Sequence, residues 1–191
     1  RDRSETEIAQ RLLKDLRVGS TEELVAAEGS RWRYSPISGT WGEIVESVAS
    51  RTIQLYDGRR IGDNGKRLLI NRKTIRRTIG VASDRVEQPD FFGERTTGIT
   101  FTNGFVTVDS EGVRLEKFSP NQRATSSMPF AYDPEAERPR FDMFLDEIFD
   151  PDEDAALKKM LLQECAGAAL LGIATRYEAA LFLTGSGSNG K

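Results

Sequence analysis

"GITFTNGFVTVDSEGVRLEKFS", from Gly98 to Ser119, is the stretch whose reading decides the fold. Apolar and polar residues alternate along it with a period of two, which sends every second side chain to one face of a strand. Asn103-Gly104 and Ser110-Glu111-Gly112 interrupt the alternation with residues that tolerate the backbone of tight turns. The segment predicts three short strands joined as a β-meander. The period on both sides of it is helical. The fold class expected is therefore α/β in the α+β sense: a helical N-terminal region, a small antiparallel sheet, then helices leading into a strand and a phosphate loop.

N-terminal to the meander, Ser4 with Glu7 and Ser20 with Glu23 have capping-box spacing and predict two helix starts. Ile8, Leu12, Leu13 and Leu16 form one apolar stripe, and Leu24 and Val25 are expected to begin another. "RWRYSPISGTW" (Arg31 to Trp41) reads as a strand, a Pro-Ile-Ser-Gly turn and a second aromatic anchor. Glu43 to Tyr56 is expected to be helical, with Ile44, Val45, Val48 and Ile53 inward. After the breaker-rich "DGRRIGDNGK" comes the basic "KRLLINRKTIRRTIG" (Lys66 to Gly80), predicted as one helix. Leu68, Ile75 and Ile79 would share a face there, with Arg72 over Arg76 and Lys73 over Arg77.

C-terminal to the meander, an extended piece leads through "MPFAYDP". One helix is predicted from near Arg138, with Phe141, Phe144, Leu145 and Ile148 on its inner side. Another is predicted from "DPDED", with Asp150 as N-cap and Pro151 as first residue, running to about Ile173. It is apolar around more than half its circumference. Leu157, Met160, Leu161, Ala168 and Leu171 are expected to be deeply packed, with Glu164 inside the same stripe.

The charge distribution is uneven. Between Asn64 and Ser83 there are six Lys or Arg residues and no acid, and between Ala131 and Ala156 ten acids face two arginines. The net charge of −3 conceals this polarity, which suggests one surface suited to an anion such as nucleic acid. With no histidine, Ser-His-Asp, Cys-His and His-containing zinc sites are excluded within the chain, and the single Cys165 excludes an internal disulfide. That cysteine reads as a small core residue. The apolar run around Ala166 to Ala174 is too short to span a bilayer, and no signal peptide precedes the first helix, so a cytoplasmic setting without membrane contact is expected.

The chain closes on "ALFLTGSGSNGK" (Ala180 to Lys191). Gly185, Ser186, Gly187, Ser188, Asn189, Gly190 and Lys191 satisfy all but the last position of the phosphate-loop pattern G-x-x-x-x-G-K-[S/T]. In such a loop, glycines let backbone amides curl around phosphate oxygens and the lysine reaches the β and γ phosphates. The run from Ala179 to Leu183 suits the buried strand that precedes it. A flexible Gly-Ser tail is the alternative, though it would require neither the strand nor the Gly-Lys.

"MPFAYDPEAERPRFDMFLDEIF" followed by a helix and "ALFLTGSGSNGK" resembles the junction in phage, plasmid and poxvirus-type primase-helicases. There an accessory domain leads into a superfamily-three helicase motor. "GITFTNGFVTVD" and "RWRYSPISGTW" resemble earlier stretches of the same family, so the likeness spans about Arg31 to Lys191. The resemblance implies an intact parent that is a ring-forming, Mg-ATP-driven DNA helicase of a replicating phage or mobile element. It implies residues 1–134 as the accessory domain, then 135–191 as helical linker with the motor's first strand and phosphate loop. The Mg²⁺-ligating Ser or Thr, the Walker B acids, the polar sensor and the arginine finger do not follow Lys191. The chain as given is therefore expected to hydrolyse no ATP and to bind neither ATP nor Mg²⁺ stably. Its own role is then DNA binding or ring assembly, and a stand-alone DNA-binding or protein-interaction module with a vestigial loop is the alternative.

Lys66, Arg67, Arg72, Lys73, Arg76 and Arg77 are the expected contacts to single-stranded DNA, because each phosphate neutralised adds sequence-independent affinity. A solvated face that pairs with the acidic helices of the same or a neighbouring subunit fits the charge pattern as well. Trp32, Tyr34 and Trp41 suit either base stacking or, more commonly in a hairpin, a core. Asp150, Asp152, Glu153 and Asp154 read as acids favouring a helix N-terminus rather than as a metal cluster.

Overall fold

The structure, a computed structural model, describes residues 3–17, 23–61, 66–149 and 152–184. Helix α1 (Arg3–Leu16) buries Ile8, Ala9, Leu12 and Leu16, the stripe its period predicts. The helix already includes Ser4, which is therefore not a residue outside its first turn. Ser20 lies outside the described residues.

Leu24 and Val25 do not begin a helix. They open strand β1 (Leu24–Ala27), which pairs antiparallel with β2 (Ser30–Ser35), Leu24 opposite Arg33 and Ala27 opposite Ser30. The cause lies in the link. Glu28 and Gly29 both take positive φ, 52° and 76°, and turn the chain back at once. All four residues of β1 are buried, because Leu24 faces a helical core while Val25 and Ala27 face an aromatic one. β2 then pairs with β3 (Thr40–Glu43), which completes the first three-stranded sheet as the two aromatic anchors predict.

Because Glu43 stays paired with Trp32, helix α2 (Glu46–Gln54) starts later than expected. The delay turns Val45 and Val48 outward, 54% and 43% exposed, and sends Ala49 and Ile53 into the core with Ile44. The basic segment is likewise divided. Lys66 and Arg67 form strand β5 (Lys66–Arg67) against β4 (Arg60–Ile61), and helix α3 (Arg72–Arg85) begins only after Asn71. The Asn71 side chain accepts a 2.9 Å bond from the amide of Thr74, so the asparagine caps the helix. α1, α2 and α3 enclose one core, with Leu68 and Ile79 contributing and Ile75 partly buried beside them.

After α3 the chain runs parallel to β1, the amide of Ala26 bonding the carbonyl of Val86 and that of Gln88 the carbonyl of Ala26, both at 2.9 Å. It then lays Phe91 on Trp41, ring centroids 4.9 Å apart. The meander is as predicted: β6 (Gly98–Phe101), β7 (Gly104–Asp109) and β8 (Gly112–Glu116), all antiparallel. The "MPFAYDP" stretch is extended along the free edge of β6, where Met128 N bonds Thr100 O and Thr102 N bonds Phe130 O. Between meander and edge segment, Ser119 and Gln122 form a capping box around a single 3-10 turn. Trp41 ties the two sheets together. Its indole donates to Pro120 O at 3.0 Å and its amide to Ala124 O at 2.7 Å.

The C-terminal helices depart from expectation. α4 (Pro139–Phe149) buries Leu145 and half-buries Ile148, but Phe141 and Phe144 are exposed. α5 (Ala155–Leu170) starts at Asp154 rather than Asp150, which with Pro151 lies outside the described residues. It buries no residue fully. Leu157, Met160 and Leu161 are half or more exposed, Ala168 and Leu171 are half-buried, and Glu164 is exposed and needs no partner. The helix is apolar on several sides, and only α4 and the following 3-10 turn (Ala174–Tyr177) lie extensively against it. Cys165 is half-buried on it. The run from Ala179 to Leu183 is neither strand nor buried; Phe182 is 83% exposed, and no described segment pairs with it. Among the described residues no helix is long and apolar enough to cross a membrane.

Candidate nucleic-acid interface

The β4–β5 hairpin and the start of α3, which follows it directly in the chain, both carry exposed cations. The hairpin extends beyond its two-residue strands, Leu68 N bonding Arg59 O at 2.8 Å and Gly58 N bonding Leu68 O at 2.9 Å. It is held to α3 by the Asp57 carboxylate, which accepts the amide of Ile70 at 2.8 Å, just before the cap. Beneath lies Tyr56, buried, donating its hydroxyl to Asp15 of α1 at 2.8 Å. Burial first, and the Asp15 hydrogen bond second, push its phenol above the ordinary tyrosine range.

On this frame Arg60 sits directly opposite Arg67 across the hairpin. Arg72 and Lys73 occupy the first turn of α3, which contains no acid, and Arg76 follows one turn after Arg72. Each placement is unfavourable taken alone. Like charges opposite one another in a ladder repel, as do like charges four apart on a helix, and cations belong at the other end of the helix dipole. Arg67, Arg72, Lys73 and Arg76 are all exposed, and none forms an ion pair among the described residues. An anion laid across hairpin and helix start would relieve all three repulsions together.

Of the six cations expected to contact DNA, Arg72, Lys73 and Arg76 lie exposed on the first turns of α3, and Arg67 lies exposed on β5 just before it. Lys66, next to Arg67 in β5, is paired with Ile61 across the hairpin. Arg77 is drawn away by Glu5 of α1, at 3.2 Å. Two residues missed by the helical reading join the surface: Arg60, and Arg59, whose guanidinium lies over the Tyr56 ring at 5.9 Å. The signal was present in "GRR", ahead of the breaker-rich "GDNG" that separates it from Lys66 and Arg67 in the sequence.

The other candidates separate clearly. Tyr34 and Trp41 are 3% and 2% exposed, and Trp32 packs edge-on to Phe92, so these aromatics anchor a core. In the acidic region Lys158 bridges Asp152 and Asp154 at 2.7 Å each, while Lys159 pairs with Asp146. The hydrogen bond from Lys158 holds Asp154 below its usual carboxylate range, and the bond to Asp152, with that to Asp154, raises Lys158. Among the described residues no ion pair joins these acids to α3. Gly185, Ser186, Gly187, Ser188, Asn189, Gly190 and Lys191 lie outside the described residues.

No curated protein matches the chain significantly. A family model described as D5 N terminal like matches residues 8–150, from the first core residue of α1 through α4 and including the whole basic surface. The chain belongs to the D5 N-terminal-like family and carries an N-terminal part of a D5-like primase-helicase.

Proposed function

We propose that this domain is the DNA-guiding accessory part of its primase-helicase, holding the phosphate backbone of a single strand on the β4–β5 hairpin and the first turns of α3. The observation that carries the reading is the uncompensated cluster Arg60, Arg67, Arg72, Lys73 and Arg76, assembled where strand pairing and helix dipole both disfavour it. Such a surface binds by counterion release, so its affinity is independent of sequence and falls steeply with salt. In the intact protein the strand would pass to an ATP- and Mg²⁺-dependent ring motor, for which the run 185–191 supplies the phosphate-loop pattern.

The test is fluorescence anisotropy of unrelated single-stranded oligonucleotides against the wild type and an Arg72→Glu, Arg76→Glu double variant. Each lost phosphate contact lowers the log–log salt slope by about 0.7. The double variant should therefore flatten the slope by roughly 1.4 and weaken binding equally for every sequence. Wild-type affinity and slope in a folded double variant would reassign the cluster to a protein interface.

A further inference from the structure

The two three-stranded sheets have four outer strands, and the chain itself covers three of them. Residues 86–88 run along β1, the carbonyl of Ala124 meets the amide of Trp41 on β3, and residues 128–130 lie along β6. Among the described residues β8 (Gly112–Glu116) is left open, and it is exposed along its whole length. The hairpin before it fixes which backbone groups face outward. Asp109 and Gly112 close a two-residue turn, so Gly112, Arg114 and Glu116 bond β7, while the amides and carbonyls of Val113 and Leu115 point away from the sheet. The opening ends at Glu116, because Gln122 Nε2 donates to the carbonyl of Lys117 at 2.9 Å.

Water satisfies those backbone groups, but it does not favour the side chains beside them. Val108 lies opposite Val113 in the ladder, and Leu115 follows two residues along on the same face. All three are about half exposed and form an apolar strip at the open edge. The charges occupy the other face. Arg114 is held by Asp109 and by Glu111, the latter at 2.7 Å, and Glu116 accepts from the Thr107 hydroxyl at 3.1 Å. Edge strands are commonly blunted by a proline or a bulge. β8 carries neither, and its charges are engaged within its own hairpin.

We propose that β8 is a self-association edge: it pairs antiparallel with β8 of a second copy, about a twofold axis through Arg114, and joins the two meanders into one sheet. The strand's own order, Gly-Val-Arg-Leu-Glu, specifies this partner. In that register Val113 faces the partner's Leu115, and the two exchange the backbone bonds that point outward. Arg114 meets its twin at the axis, each already neutralised by Asp109 and Glu111. Its diagonal neighbour is the partner's Glu116, within reach of so long a side chain. The complementarity is apolar on one face and ionic on the other. An axis through Leu115 would instead set Val113 against the partner's Lys117, whose carbonyl Gln122 already occupies. No residue of β8 belongs to the basic surface, so the edge stands or falls independently of the DNA-guiding reading.

Sedimentation velocity of the 191-residue chain between about 1 μM and about 1 mM tests it. The wild type should pass from monomer to dimer within that range. Val113→Lys should raise the dimer dissociation constant at least about tenfold, because the change falls twice across the axis. Its melting temperature should stay that of the wild type, since Val113 is half exposed. Single cysteines in a Cys165→Ala background read the register. Residues facing one another at the axis without shared backbone bonds have Cα atoms about 4.5 Å apart, a separation a disulfide spans. Arg114→Cys should therefore crosslink on mild oxidation. Val113→Cys should not, because its twin lies on the diagonal, about 7–8 Å away. A wild type that stays monomeric at about 1 mM overturns the proposal and leaves the edge to a different chain. A dimer that Val113→Lys leaves intact, or equal crosslinking by the two cysteines, overturns it as well and moves self-association to another surface.

Discussion

Gly39 ends the turn between β2 and β3 at φ 67°, and a Cβ built there would land on the ring of Phe118, 2.6 Å from its Cγ. Gly29, in the β1–β2 turn, has nearly the same backbone, φ 76°, but open space around it. The pair separates two costs that are usually confounded. In Gly29→Ala only the left-handed backbone is penalised, by about 1 kcal/mol. In Gly39→Ala the same penalty is joined by overpacking of about 1–3 kcal/mol, because Phe118 lies where the meander meets the first sheet. For a chain of this size each kcal/mol shifts Tm by about 2–4 °C. The expectation is a loss of about 3 °C for Gly29→Ala and about 6–12 °C for Gly39→Ala. Thermal unfolding followed by circular dichroism reads both. A double variant Gly39→Ala, Phe118→Leu should recover part of the second loss, since it vacates the ring. Equal shifts for the two glycines would refute the idea that the first sheet is locked onto the meander through Phe118.

Leu161→Asp should cost only about 1 kcal/mol, as the residue is half exposed, whereas Leu145→Asp, 2% exposed on α4, should cost several; equal melting temperatures would mean α4 is not packed in solution. Lys159→Asp should destabilise by up to about 1 kcal/mol, because it sets a second acid face to face with Asp146; an unchanged Tm would show that this ion pair is absent. Tyr56→Phe addresses alkaline stability. The folded phenol titrates above its ordinary value of 10.0, so the folded state keeps a proton that the unfolded chain releases. Stability from this group is complete below pH 10.0 and declines as pH rises above it, and the phenylalanine variant should show a flatter decline; identical profiles would remove Tyr56 as the cause. Thr78→Val should leave stability unchanged or raise it by up to about 1 kcal/mol, since the Thr78 hydroxyl is fully buried without a partner among the described residues; a clear loss of stability would indicate a hidden one.

What could be read from the chain alone was whatever neighbours in sequence settle. The meander is legible because its strands alternate with period two and its turns are short, so pairing partners are adjacent. The stripe of α1 and the aromatic hairpin around Trp41 are legible for the same reason. Tertiary structure decided the rest. "LVAA" is compatible with helix or strand, and its pairing with β2 and sheltering between two cores made it a strand. Lys66 to Gly80 has one charge pattern throughout, but Arg67 found Arg60 across the hairpin and Asn71 capped what followed, so a single expected helix became two elements. The basic surface was thus visible as a run of charge, while its shape, its loss of Arg77 to Glu5 and its gain of Arg59 and Arg60 required the fold. α5 shows the limit most plainly. Apolar periodicity states what a helix has available to bury, and only the neighbours present in space determine how much of it is covered.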